Sequence, residues 1–381
     1  MRLAIVSRDF VYPLGGFEEY IYQLSSRLHG AGVDVTIFTT TRNAQDSNYH
    51  EAEYDGVPVK RYPVTWWLSG YCYSRGLKDG LREAEYDVLH GQGWGNYAID
   101  AAARESKRKS RPLVVTPHAF FQEPGRARAL KAIYNQIFSR TVIDRAHFIA
   151  LTEAQARELR SMGAMRTTTI PEGVSIPEFE RQYPRPGYFP DRRKVLLCVG
   201  RLARYKGFEH VLMALKSIES DLPDAFLMIV GEDWGAGHRL KKLTRDLALK
   251  EKVAFTGRIP RAELLGVYQA CDLYVNASLY EGFGISLVEA MACGKPVVST
   301  PTGVAADLQG LIPTFNYGDV PTLAANILRI LREEKEARNL GQALKRLVEE
   351  RYSWDRNLSR ILDVYRGTEG ESGRWLARTG L

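Results

Sequence analysis

Two carboxylates, Glu281 and Glu289, stand eight positions apart in the stretch EGFGISLVEA, on either side of a glycine turn. An acid at a helix start is often only a cap, and an acid two turns along is often only part of a solvated face. The alternative is that both point at one polar ligand. DLYVNAS (272–278) has the apolar run of a buried strand, and FGISLVEAMACG (283–294) has the pattern of a helix closed by Gly294. Gly282 and Gly284 let the backbone turn tightly and come close to a ligand. A helix beginning near Gly284 turns its unpaired amides and positive dipole end toward that point, which suits phosphate. A carboxylate accepts paired bonds from vicinal hydroxyls, as on a ribose or a hexose. The stretch thus combines backbone for phosphate with acids for hydroxyls.

A second cluster lies in VGRLARYKG (199–207), just past an apolar strand. Arg201 and Lys206 are cations in a loop that Gly200 and Gly207 allow to be tight. Arginine holds phosphate bidentately and lysine acts as a point charge. Alone, each would be a solvated cation; beside an anion-binding helix end they gain a purpose. YPLGGFEEY (12–20) sets Gly15 and Gly16 between a strand and a helix, where a ligand can approach the backbone. It is not GxGxxG, and the acid about twenty residues on would be Asp34, inside a strand, which argues against a dinucleotide. His118 closes the predicted strand PLVVTPH (112–118), where a structural and a ligand-contacting role are equally open. No Asp-x-Asp pair occurs, and no HExxH or GxSxG. A departing diphosphate would be stabilised by Arg201, Lys206 and the helix end in place of a metal.

These residues need a scaffold. RLAIVS (2–7), a helical pattern with Phe17, Ile21, Leu24 and Leu28 on one face, and VDVTIFTT (33–40) make a strand–helix–strand unit. DVLHGQ (87–92), PLVVTPH and HFIALT (147–152) continue it. The alternation restarts with KVLLCVGRL (194–202), AFLMIVGE (225–232), KVAFTG (252–257), DLYVNAS and KPVVST (295–300). Short apolar strands alternating with helices predict parallel sheets covered on both faces. PEFERQYPRPGYFPD (177–191), with four prolines, predicts a linker between two doubly wound domains. Ligands of such sheets bind at the carboxyl ends of the strands, so the expected site is the cleft between the domains.

The 381 residues suit two domains, and 45% hydrophobic with 25% charged residues is the balance of a globular protein. The start lacks the long apolar run and cleavage site of a signal peptide, and no stretch is apolar enough to span a membrane. Cys72, Cys198, Cys271 and Cys293 lack metal-ligand spacing, which predicts structural thiols in a reducing compartment. Cytoplasmic placement follows as an expectation. The net charge of +7 excludes little, but its distribution is uneven. Arg104, Lys107, Arg108, Lys109, Arg111, Arg126, Arg128 and Lys131 lie close to Glu105 and Glu123 only, downstream of Trp66, Trp67, Tyr71 and Tyr73. Aromatics beside Lys and Arg suit an anionic membrane surface on the inner face; a basic loop over buried aromatics is the other explanation.

Over nearly its whole length the sequence resembles the retaining glycosyltransferases of family 4. The resemblance runs through PLGGFEEYIYQLSSRL, TPHAF, IALTEAQARELRSMGA, TTIPEGV, VGRLARYKG, LMIVGE, VAFTGRI and EGFGISLVEAMACGKPVVSTPTGV, and the E-x7-E pair of Glu281 and Glu289 is its most specific part. It implies an α/β GT-B fold, two doubly wound Rossmann-like domains facing across a deep cleft. Residues 1–175 would form the acceptor domain, with a C-terminal helix at about 353–372 crossing back to it. Residues 176–192 would be the linker and 193–352 the donor domain. By resemblance, Arg201 and Lys206 neutralise a diphosphate, Glu289 binds ribose hydroxyls, and Glu281 with the backbone at Phe283 and Gly284 holds the donor sugar. Ile285 and Ser286 offer amides to the phosphates, Gly16 approaches them from the first domain, and His118 contacts the sugar near the reacting carbon. Arg258 and Ile259 lie by the base.

The implied activity is metal-independent retaining transfer from a nucleotide-diphosphate sugar to a glycan or lipid-linked acceptor. No cofactor or nucleic acid is implied. Two departures touch the donor region: Glu172 stands where the family often has Asn, and PTGVAAD has lost one glycine, with Asp307 near the place of an acid. Rival readings are a sugar-nucleotide epimerase of the same fold and a binding protein for anionic polymers.

Overall fold

The computed structural model describes residues 1–10, 15–41, 50–68, 71–119, 139–191 and 193–379. The chain divides into two compact units. The first is Met1–Pro171 with Asp355–Leu381, and the second is Glu172–Trp354.

In the first unit the strands are β1 (Arg2–Asp9), β2 (Asp34–Thr40), β3 (His50–Tyr54), β4 (Val57–Tyr62), β5 (Trp66–Leu68), β6 (Tyr71–Tyr73), β7 (Val88–Gln92), β8 (Leu113–Thr116), β9 (Ala146–Ala150) and β10 (Thr167–Thr169). The main sheet runs β10-β9-β8-β7-β1-β2-β4-β3. All its pairings are parallel except β3 on β4. Leu3, Ala4, Ile5 and Val6 are buried on both faces of the central strand, which is why β1 is a continuous apolar run. The β3–β4 hairpin turns on Asp55 and Gly56, both at positive φ (49° and 78°), the Asp-Gly signature of a tight hairpin. That edge hairpin was not among the strands expected from the apolar runs.

The helix Gly16–Gly30 buries Tyr20, Ile21, Leu24 and Leu28. It ends where Gly32, at φ 82°, donates to the His29 carbonyl. The helix Trp354–Thr379 belongs to the first unit from Asp355 onward. There the Asn357 amide donates to the Pro171 carbonyl at 3.0 Å, Arg360 to the Thr169 carbonyl at 2.6 Å, and the Tyr365 hydroxyl meets His90 Nδ1 at 2.6 Å.

The second unit holds β11 (Lys194–Val199), β12 (Ala225–Val230), β13 (Val253–Gly257), β14 (Leu273–Asn276) and β15 (Val297–Ser299), in the order β13-β12-β11-β14-β15 and parallel throughout. One core cluster joins β11, β12 and β14 to the helices Phe208–Ser217 and Val320–Arg332. Each fully buried aliphatic there, such as Leu196, Leu227 or Leu323, contributes about 1.5–3 kcal/mol of burial.

Residues 176–191, expected as part of a linker, pack on the second unit. The Tyr183 amide donates to Gln269 Oε1 at 3.0 Å, Gln269 Nε2 donates to the Arg181 carbonyl at 2.6 Å, and a Cβ on Gly266 would stand 2.4 Å from the Pro184 carbonyl. Cys198 and Cys271 are free and buried, and burial pushes the Cys271 thiol up to about 12. Among the described residues no helix is long and apolar enough to cross a membrane.

Candidate functional site

The loops at the carboxyl ends of the second sheet are tied to one another by backbone bonds. Gly200 donates to Val230, Gly231 to Gly257, Leu202 to Glu232, Trp234 to Leu202, and Leu279 to Tyr205, all between 2.7 and 3.1 Å. This lacing fixes where the side chains emerge.

Past β11 the chain makes a 3-10 turn, Arg204–Lys206, which ends on Gly207 at φ 64°. A Cβ there would stand 2.2 Å from the Ala277 carbonyl, so glycine brings the turn against the end of β14. Lys206 Nζ consequently reaches Glu281 Oε1 at 2.7 Å, and both side chains are close to 90% buried. The Ser278 hydroxyl lies 2.6 Å from the same oxygen and 2.9 Å from Asn276 Oδ1. Lys206 and Glu281, distant in sequence, are thus one ion pair. Arg201 lies on the surface with its guanidinium 4.3 Å from the ring centre of Trp234, a half-exposed side chain.

Beyond β14, Gly284 at φ 94° caps the helix Ile285–Ala292. The first amides of that helix, at Ile285 and Ser286, have no partner within it. The Ser286 hydroxyl accepts from Tyr274 at 2.8 Å. Phe283 is buried with its ring beside Tyr352, and its carbonyl accepts from the Val304 amide at 2.7 Å. Glu289 is 8% exposed. Its Oε1 accepts from Arg261, and its Oε2 accepts from the Tyr268 hydroxyl at 2.9 Å. Arg258 is exposed and Ile259 half-buried, in the loop between β13 and the helix that Arg261 opens. Asp307 is exposed and Glu172 is buried.

In the first unit Gly15 caps the helix Gly16–Gly30 in an extended conformation, and Glu18 and Glu19 occupy its first turn. That helix packs Phe17 and Tyr20 nearly perpendicular to the His118 ring, at centroid distances of 4.8 and 4.7 Å. His118 has φ 59°, a conformation few non-glycine residues adopt. Its carbonyl accepts from Gln155 Nε2 at 2.8 Å, and its Nε2 lies 2.7 Å from Gln92 Oε1. Desolvation pushes its pKa down to about 3, so the ring is neutral at ordinary pH. His90, its fully buried neighbour, is pushed to about 3 by desolvation and by His118.

The structure therefore brings Lys206, Glu281, Ser286 and Glu289 to one edge of the second sheet, with Arg201 on an adjoining loop. It brings His118 to the helix that Gly16 opens. Of the aromatic–basic region, Trp66 is half-exposed and stacks on Tyr73, while Tyr71 is tied to Asp100 at 2.7 Å. Arg104 and Lys107 are exposed, Arg108 pairs with Glu105, and Lys109 sits over Tyr86. Glu123, Arg126, Arg128 and Lys131 lie outside the described residues. No group of three or more His, Cys, Asp or Glu that could hold a metal occurs among the described residues.

Sequence reasoning missed Gln92, Gln155, Ser278, Arg261 and Tyr268. Gln92 ends a strand that was expected, at the same edge as His118. Arg261 and Tyr268 are seven apart on one helix, hence on one face, which is the signal that could have found them.

The model for glycosyl transferases group 1 matches residues 180–347, and that for glycosyltransferase family 4 matches 14–177. A D-inositol 3-phosphate glycosyltransferase of Corynebacterium jeikeium is 28% identical over 350 residues, covering 80% of this chain and 81% of the relative. A GDP-mannose-dependent monoacylated alpha-(1-6)-phosphatidylinositol monomannoside mannosyltransferase of Corynebacterium glutamicum is 23% identical, covering 95% and 97%. Among solved structures, Anabaena Alr3699/HepE in complex with UDP superposes with a TM-score of 0.81 at 20% identity, covering 96% of this chain and all of that one. The two matched families between them span most of the sequence and the fold agrees along it: the chain belongs to the family 4, group 1 glycosyltransferases, with the two Rossmann-like units of the GT-B fold.

Proposed function

We propose that the protein is a retaining, metal-independent glycosyltransferase that moves a sugar from a nucleotide-diphosphate sugar to a glycan or lipid-linked acceptor. The observation that carries the donor half is the edge of the second sheet. Cations at Arg201 and Lys206, helix amides at Ile285 and Ser286, and carboxylates at Glu281 and Glu289 lie on the loops at that edge or on the helix that follows them. Phosphate needs the first two groups and hydroxyls the third. In this reading Glu289 takes the ribose, and Glu281 takes the donor sugar with the backbone at Phe283 and Gly284. Arg258 and Ile259 lie by the base. Gly15, Gly16 and His118 serve the donor from the first unit. The UDP complex of the structural relative and the GDP-mannose and phosphatidylinositol monomannoside in a relative's name support the donor and acceptor classes.

In the reaction so proposed, the bond from the anomeric carbon to the diphosphate breaks and its electron pair leaves with the phosphate. The acceptor oxygen bonds on the same face, and the acceptor proton passes to the departing phosphate oxygen. Arg201, Lys206 and the helix start stabilise the charge that develops there. In this scheme Glu281 holds the sugar and is assigned no bond to the anomeric carbon.

The test is a calorimetric panel of UDP-, GDP- and ADP-sugars, followed by transfer assays with the donor that binds. Lys206→Ala lowers transfer by about 10²–10³-fold and Glu289→Ala by at least about tenfold to hundredfold while the protein remains folded; full activity in either variant sinks the reading. Anomeric proton couplings of the product report retention, and activity unchanged by EDTA reports metal independence. Contact with the membrane at the inner face, suggested by Trp66, Arg104 and Lys107, requires sedimentation with anionic vesicles at physiological salt.

A further inference from the structure

The carboxylate of Glu289 is held from both sides, and the holding residues lead away from the site. Arg261 is the first residue of the helix Arg261–Ala270. A cation there opposes the helix dipole, a cost of about 0.3–1 kcal/mol. Two carboxylates offset it. Arg261 Nη1 donates to Glu289 Oε1, while Nε and Nη2 grip Glu178 bidentately at 3.0 and 2.9 Å. The guanidinium also lies 5.4 Å from the ring centre of Phe179. Two turns along the same helix, fully buried Tyr268 donates to Glu289 Oε2.

Each carboxylate oxygen of Glu289 therefore receives one donor, and each retains a second lone pair. With both oxygens anchored, the free lone pairs keep a fixed spacing and direction. Vicinal hydroxyls on a rigid five-membered ring require that arrangement; a freely rotating carboxylate would bind them with a larger loss of entropy.

We propose that Arg261, anchored by Glu178, and Tyr268 are positioning residues that fix the carboxylate of Glu289 for the vicinal hydroxyls of a ribose. The inference rests on the donor reading above. It makes Glu178, in a segment expected as a linker, a determinant of donor affinity although it touches no donor atom.

The experiment compares the full-length protein with Arg261→Met, Tyr268→Phe, Glu178→Gln and Glu289→Gln. It measures by calorimetry the dissociation constant of whichever of UDP, GDP or ADP binds, and of its 2′-deoxy form. The natural protein prefers the ribonucleotide by about tenfold to hundredfold, the worth of a hydrogen bond to a charged group. Arg261→Met reduces that preference to about threefold or less, and Glu178→Gln and Tyr268→Phe reduce it in part, while affinity for the 2′-deoxy form stays within about twofold. The donor KM rises in Glu178→Gln with kcat unchanged.

A purely structural role would weaken both nucleotides equally and leave the ratio intact, and that result overturns the proposal. Should Arg261→Met fail to fold, the ratio in Glu178→Gln and Tyr268→Phe decides alone. If the natural protein shows no ribose preference and Glu289→Gln binds both forms normally, the ribose assignment itself falls, and the proposal with it. If the preference depends on Glu289 but on none of the other three residues, only the positioning proposal falls.

Discussion

The two clusters at strand ends are built from opposite materials. In the second unit the candidate residues are charged and paired: Lys206 with Glu281, Arg261 with Glu289 and Glu178. In the first unit His118 is held by two neutral glutamines and two aromatic rings set nearly perpendicular to it, and desolvation keeps it uncharged. A diphosphate is a highly charged ligand, and the second unit has the groups to meet it. The first unit can offer shape and neutral hydrogen bonds. The largest expected effect tests this directly. Lys206→Met removes a cation proposed to meet the leaving group and leaves Glu281 buried without its ion pair. Transfer falls by about 10²–10³-fold, the usual scale for losing one group that stabilises developing charge. Stability falls by about 3 kcal/mol. Adding Glu281→Gln to Lys206→Met restores most of the melting temperature and none of the transfer. If the double variant transfers normally, the charged cluster is structural and the contrast between the units has no functional meaning.

A neutral His118 makes a second test. With its pKa near 3, it stays in one protonation state from about pH 5 upward. Transfer therefore shows no limb near 6.5, the ordinary value for histidine. A limb there that His118→Asn removes would mean that His118 titrates in the active protein.

The same burial has a stability consequence at His90. Its pKa near 3 in the fold lies below about 6.5 in the unfolded chain, so the unfolded state binds the extra proton between those values. Stability from this residue is complete above about pH 6.5 and is lost as pH falls. The loss is about 1.4 kcal/mol per pH unit, or about 2 kcal/mol by pH 5. Thermal melts of the natural protein and of His90→Gln at pH 7 and 5 check it: the variant shows a shallower acid slope. Equal slopes would mean that His90 is not neutral in the fold.

The parallel strands were legible because each is a short apolar run buried on both faces, and the helix Gly16–Gly30 was legible from its one-sided spacing. The turn at Gly284 was legible because a glycine directly precedes a helical pattern, and the structure puts that glycine in the left-handed conformation it tolerates. The β3–β4 hairpin escaped because VPVKRY and HEAEY alternate at a half-exposed edge and show no apolar run, although Asp55-Gly56 marked the turn. The segment 176–191 looked like a linker because prolines exclude regular pairing. It packs nevertheless, since Gln269 supplies the hydrogen bonds its backbone needs. Glu281 and Glu289 were legible as a pair of acids, but their partners were not. An ion pair between positions 206 and 281 depends on β11 and β14 being neighbours, and strand order is not written in either stretch.

The smallest effect separates the two glycine turns, which look alike in sequence. Gly15 is extended, at φ −166°, a conformation any residue adopts, and the nearest atom to an added Cβ is a Glu18 carboxylate oxygen at 3.2 Å. That oxygen ends a flexible side chain and can give way. Gly284 sits at φ 94°, where a side chain is strained, although its nearest neighbour would be 3.8 Å away. Gly284→Ala therefore lowers stability by about 1–2 kcal/mol through backbone strain alone. It also weakens nucleotide-sugar binding by displacing the helix amides. Gly15→Ala changes stability by only about 0.5 kcal/mol or less. If glycine at 15 serves close approach of a phosphate, Gly15→Ala raises the donor KM while its melting temperature barely moves. If the donor KM is unchanged as well, the first unit's glycine turn has no part in donor binding, and the charged edge of the second unit carries it alone.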